Sequence, residues 1–307
     1  MSTYAPFAGI PRLLADDPAI EAVLGRRSAV LAVPEPARAA ALAALVGVTD
    51  RRPLVVAVPT TADADRLAND LALYLGPDQV LTFPAWETLP FERVSPSVET
   101  MGRRLQTLWH LRDPERAPAV VVAPARALVQ RLGPGAEDVE PIVVGPGDVV
   151  DSAELIERLV HFGYRREYQV EHRGEVAVRG SIIDVFPSTA DAPVRIDLWG
   201  DEVDRLTEFG VDDQRTTVAV SEVTIFPARE LLPDDAVRER ARELVASEPW
   251  GREQWDRIAD GQFFDGMESW MPWLGDEERV LLDLVAADAL IVLVEPQRLR
   301  DRAADIL

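Results

Sequence analysis

Leu54-Val55-Val56-Ala57-Val58, followed by Pro59-Thr60-Thr61-Ala62-Asp63, is a run of five apolar residues and then a cluster of hydroxyl and carboxylate side chains. A continuous apolar run of that length reads as a strand buried on both faces. Thr60, Thr61 and Asp63 stand near the cap of a helix that continues through Leu67, Leu71 and Leu75. A strand that leads directly into a helix is the repeat unit of a parallel sheet covered on both sides. Working outward, Ser28 to Val33 predicts another buried strand and Ala37 to Val46 an alanine-leucine helix. Val98 to Leu111 predicts a further helix and Ala119 to Ala123 a third strand. The first domain, residues 1–130, is therefore expected to be α/β.

Turn signals at Gly133-Pro134-Gly135 and Gly145-Pro146-Gly147 mark a change of character. After one helix, Ser152 to Phe162, come alternating segments at Glu175 to Val178, Ser181 to Phe186, Val194 to Trp199 and Glu202 to Phe209. Period-two alternation with short turns predicts antiparallel sheet, so residues 131–226 are expected to form an α+β domain. The remaining residues, 227–307, predict helices at Asp234 to Ser247 and Glu253 to Ile258. An aromatic-rich stretch follows, then an isolated strand at Ala289 to Val294. Gln297 to Leu307 reads as a helix that simply stops, which suggests a fragment of a longer protein, with a natural C-terminal helix as the alternative.

Composition removes several chemistries. No cysteine is present, so disulfides, thiolate nucleophiles and cysteine-based metal sites are excluded. All 32 basic residues are arginine; without lysine there is neither a Schiff-base amine nor a P-loop lysine. The three histidines show no metal spacing and no nucleophile elbow or dinucleotide fingerprint appears, so no enzyme, metal or cofactor is expected. The longest apolar runs are too short to cross a bilayer and the N-terminus lacks a basic start, which predicts a cytoplasmic protein with no membrane partner. Residues 1–130 carry 13 arginines against 14 acids, 131–226 carry 9 against 20 and 227–307 carry 10 against 19, for a net charge of −21. A surface this acidic repels phosphate backbones and argues against direct nucleic-acid binding.

Three motifs add a family resemblance. Phe83-Pro84-Ala85-Trp86-Glu87-Thr88-Leu89-Pro90-Phe91-Glu92, Arg179-Gly180-Ser181-Ile182-Ile183-Asp184-Val185-Phe186-Pro187 and Val194-Arg195-Ile196-Asp197-Leu198-Trp199-Gly200-Asp201-Glu202-Val203-Asp204 occur in this order. Together they resemble the N-terminal, UvrB-like module of the bacterial transcription-repair coupling factors (Mfd), from about residue 20 to residue 300. The resemblance implies a degenerate RecA-like parallel-sheet domain (1A, residues 1–130) and an inserted α+β UvrA-binding domain (2, residues 131–226). A small helical, aromatic-rich subdomain (1B, residues 227–307) would return to the first sheet. Where a nucleotide-binding relative has a glycine-rich loop ending in Gly-Lys-Thr, this chain has Pro34-Glu35-Pro36-Ala37-Arg38. Prolines lack the N–H donors that cradle phosphate and Glu35 repels it.

The sharpest candidate site lies in the middle domain. Alternation along Val194 to Trp199 sends Val194, Ile196 and Leu198 to one face and Arg195, Asp197 and Trp199 to the other. With the aliphatic face on the core, the second face offers a guanidinium, a carboxylate and a ring, the groups that interfaces favour. Arg165, Arg166, Arg173 and Arg179 add positive charge nearby. On their own these residues read first as an Arg195–Asp197 surface pair worth under about 1 kcal/mol, with Phe186 in the core. The resemblance implies that Arg165, Arg179, Phe186, Arg195 and Asp197 form the UvrA-binding surface. It also implies packing against the remaining domains of the full-length factor and contact with RNA polymerase only through domains absent from this chain. Two alternatives are a UvrB-like damaged-DNA-binding module and a vestigial helicase domain. The Thr60 to Phe83 segment is too short and helical for UvrB's aromatic hairpin. Trp86, Leu89 and Phe91 are expected to pin an irregular loop, and Trp250, Trp255, Trp270 and Trp273 to anchor a small core.

Overall fold

The computed structural model describes residues 5–49, 51–89, 92–275 and 278–306. In chain order it runs through α1 (Ile10–Ala15), α2 (Pro18–Glu21), α3 (Arg38–Val48), β1 (Leu54–Val58), α4 (Thr61–Leu75), β2 (Val80–Thr82), α5 (Val98–Leu111), β3 (Val120–Pro124) and α6 (Ala125–Val129). Then come β4 (Ile142–Val144), α7 (Ser152–His161), β5 (Arg165–Arg166), β6 (Glu175–Arg179), β7 (Ile182–Val185), β8 (Val194–Trp199), β9 (Glu202–Phe209), β10 (Thr216–Val220) and β11 (Val223–Ile225). The last elements are α8 (Asp235–Ser247), α9 (Arg252–Ala259), α10 (Met271–Leu274), β12 (Leu290–Leu293) and α11 (Pro296–Ile306). Two units result: Met1–Ala85, Thr107–Gln130 and Arg279–Leu307 form one, and Trp86–Gln106 and Arg131–Glu278 the other.

In the first unit four parallel strands lie in the order β12-β1-β3-β2. Every residue of β1 and β3 is buried, as the unbroken apolar run requires of a strand with helices on both sides. Leu42, Leu45 and Val46 of α3 and Leu67 and Leu71 of α4 pack on Leu54, Val56, Val120 and Val122. On the opposite face Ala57 meets Ala125 and Leu299. Thr60 caps α4 by accepting from the Asp63 N–H at 3.2 Å, one of the orphan donors of a helix start. Strand β12, from near the end of the chain, pairs with β1 in the register Val292 to Val56. The strand expected at Ser28 to Val33 does not form. Its apolar side chains have β propensity but no ladder is assigned to the segment, and Val30 is 94% exposed.

The second unit holds a six-stranded sheet, β10-β9-β8-β7-β6-β5, antiparallel except for the β5–β6 pair, and the two-stranded β11-β4. Its inner face, Val176, Ile183, Val185, Val194, Ile196 and Leu206, packs against Leu155 and Leu159 of α7. Fully burying such aliphatic side chains stabilises by about 1.5–3 kcal/mol each. Asp151 caps α7 by accepting from the Ala153 and Glu154 N–H groups. Trp255 is fully buried among α8, α9 and α10, and the centroids of the Trp250, Trp255, Trp270 and Trp273 rings lie 4.6–6.2 Å apart. A Cβ on Gly251 would come within 2.6 Å of the Trp255 indole nitrogen, so only glycine admits that close approach.

The loop from Trp86 is held by polar groups. Trp86 donates its indole N–H to Glu230 at 2.7 Å, and Glu230 accepts two further bonds from Arg104, at 2.8 and 3.1 Å, with both partners fully buried. Glu87 accepts from Ser97 and Thr100 at the start of α5. Leu89 does not pin the loop: it is 57% exposed. Phe91 lies outside the described residues.

Candidate partner-binding face

The outer face of the six-stranded sheet is built by register. The two-residue turn at Gly180-Ser181, with Gly180 at φ +63°, sets Arg179 opposite Ile182 and Ala177 opposite Asp184. Asp184 in turn lies opposite Arg195, and Ile182 opposite Asp197, which faces Arg205 on β9. Asp184, fully buried at the centre, accepts from Arg195 Nε at 2.7 Å and Nη2 at 2.9 Å and also from Arg179 Nη2. A carboxylate gripped by two guanidiniums forms strong, charge-assisted bonds. Asp197 accepts from Arg205 Nε at 2.8 Å. The bonds to Asp184 hold the Arg195 guanidinium above its usual range against the lowering effect of burial, and those to Asp197 do the same for Arg205.

Each site residue expected from sequence has a definite place. Arg179, Arg195 and Asp197 come together on this face, with Arg195 and Asp197 largely covered and Arg179 partly exposed. Arg195 and Asp197 do not pair with each other: each bonds an opposite charge on a neighbouring strand. Arg165 stands apart at the β5 edge, 66% exposed, with a 3.3 Å bond to Glu175. Phe186 is not exposed. Although alternation puts it on the outer face, it is buried with Val170, Ala177 and Phe209 in a small second core, and the Arg173 guanidinium lies 5.3 Å above its ring.

Sequence reasoning missed the hub Asp184 and the partner Arg205. Their signals were present in the tight Gly180-Ser181 turn, which fixes which residues face each other, and in a lone acid between core positions Ile183 and Val185. The turn after β9 also contributes. Gln214, at φ +58°, accepts from Arg195 Nη1 through its backbone carbonyl at 3.3 Å, while its side-chain amide donates to the Val170 and Val211 carbonyls.

The first unit has a crevice at the carboxyl ends of β1 and β12, where parallel sheets usually take their ligands. Glu35, Arg38, Asp63, Arg66 and Glu295 line a cavity of about 40 Å³, against roughly 300–1,000 Å³ for a small-molecule site. The Glu295 carboxylate accepts from Arg298 and, at 2.7 Å, from Arg38; these bonds hold it below the ordinary carboxylate range. Glu35 pairs with Arg66 at 3.1 Å. Among the described residues no group of three or more histidines, cysteines or acids is placed to hold a metal ion, and no helix is long and apolar enough to cross a membrane.

Residues 142–231, which contain this face, match the family of the UvrB interaction domain. Transcription-repair-coupling factors are similar over most of the chain. That of Mycobacterium tuberculosis is 38% identical over 261 residues, 80% of this chain and 21% of that protein. That of Myxococcus xanthus is 34% identical over 263 residues (80% and 22%), and that of Escherichia coli 31% over 215 residues (68% and 18%). The chain spans about a fifth of the length of the curated relatives it matches.

Proposed function

Because this chain belongs to the transcription-repair-coupling factors, as their N-terminal UvrB-like module, we propose that it is a recruitment module that binds UvrA and links a stalled RNA polymerase to nucleotide excision repair. Residues 131–226 are the binding domain, and the outer face of its sheet is the binding surface. Arg165, Arg179 and Arg195 supply positive charge and Asp197 orients Arg205, while Phe186 packs under Val170 and Phe209 on the same side of the sheet. Contact with the polymerase and any nucleotide-driven motion belong to parts of the full-length factor outside this chain.

The observation that carries this reading is Asp184, a buried carboxylate that fixes two guanidiniums on one sheet face within the matched interaction domain. Fixing those side chains before encounter lowers the entropy cost of association. Arginines set in a strongly acidic chain also complement an acidic partner patch and steer its approach. In the crevice beside β12, Glu295 and Glu35 already hold the guanidiniums of Arg38 and Arg66, which fits a non-catalytic role.

Calorimetric titration of purified UvrA into this chain tests the reading. Arg165→Glu should weaken binding at least tenfold while the melting temperature stays within about 2 °C; Arg179→Glu should weaken binding at least tenfold and also lower the melting temperature, because it sets a carboxylate against the buried Asp184. Unchanged affinity in both variants refutes the assignment, as does tight binding of the wild-type chain to damaged duplex in place of UvrA.

A further inference from the structure

Trp199 ends β8 at the Gly200-Asp201 turn, opposite Glu202, and its side chain is 83% exposed. Strand periodicity puts it on the outer face two residues beyond Asp197, which is about 7 Å along the strand. Beside it lie the Asp197–Arg205 pair, with Arg205 65% exposed, and the Arg179–Ile182 row of the neighbouring hairpin. No aromatic or cation–π contact to Trp199 occurs among the described residues. Its inner neighbours Ile196 and Leu198 are buried. The ring is thus not needed to close the core, and its position is set by a strand that is.

An indole this exposed leaves a large apolar area in water. The four other tryptophans compared with it, Trp250, Trp255, Trp270 and Trp273, pack on one another. Tryptophan and arginine are the residues that dominate binding energy at interfaces, above all where a ring enters a desolvated pocket ringed by polar pairs. We infer that Trp199 is the anchor of this face: it inserts into an apolar pocket of the partner rimmed by carboxylates that meet Arg179 and Arg205. The inference rests on the proposed UvrA-binding role and extends the surface beyond the residues already named, to the β8–β9 turn.

The test is Trp199→Ala, Trp199→Phe and Arg179→Glu titrated against purified UvrA, with thermal melting of each. Trp199→Ala should weaken binding about thirtyfold, Trp199→Phe should recover most of it, and neither should shift the melting temperature by more than about 2 °C. If Trp199→Ala binds like wild type while Arg179→Glu is weakened, the anchor is wrong and the UvrA-binding face stands. If neither variant is weakened, both fall. A fall of many degrees in melting temperature for Trp199→Ala would make the ring structural and overturn the inference by itself.

Discussion

Replacing Asp184 by asparagine removes one charge at nearly constant shape, and the structure sets the size of the effect. The side chain is fully buried and receives Arg195 through two nitrogens at 2.7 and 2.9 Å, as well as Arg179. Breaking a buried pair by removing one partner costs about 3–5 kcal/mol, because the remaining charge stays desolvated. Arg195 retains 14% exposure and Arg179 39%, so part of that penalty is relieved by water, and about 2–3 kcal/mol is expected. For a unit of this size that corresponds to a fall of roughly 4–12 °C in melting temperature. Urea unfolding followed by far-ultraviolet circular dichroism would read it as a lower midpoint at unchanged slope. Asp197→Asn is the internal control. Its partner Arg205 is 65% exposed, so that pair contributes under about 1 kcal/mol. Should Asp184→Asn cost no more than Asp197→Asn, Asp184 is not the organising charge of this face and the argument fails.

Phe186→Ala should destabilise by about 3 kcal/mol, since truncating a buried phenylalanine leaves a cavity and Phe186 is 7% exposed; a melting temperature unchanged in this variant would put the ring in solution instead. Glu87 supplies a pH dependence. Burial raises its carboxyl, but the bonds from Thr100, its own backbone and Ser97 outweigh burial and leave it below its ordinary value of 4.5. A group depressed in the folded state contributes stability that is present above that value and lost as pH falls below it. Glu87→Gln should therefore flatten the decline in stability below pH 4.5, as measured by urea midpoints across pH; an unchanged slope would count against the role of Glu87.

Much of the architecture was legible because it follows from local rules. The apolar run Leu54 to Val58 could only be a doubly covered strand, and β8 spans Val194 to Trp199 as alternation predicts. The absence of lysine and cysteine excludes their chemistries whatever the fold. Which charge answers which was decided only in three dimensions. Asp197, two residues from Arg195 in sequence, bonds Arg205, whereas Arg195 bonds Asp184 from the adjacent strand, because neighbours in a sheet are set by inter-strand register. Phe186 has the parity of an exposed residue, yet Val170 and Phe209 cover it, since alternation assigns a face and the packing of distant segments determines whether that face meets water. Ser28 to Val33 has the composition of a strand but no assigned ladder, because a strand exists only where another backbone supplies its hydrogen bonds.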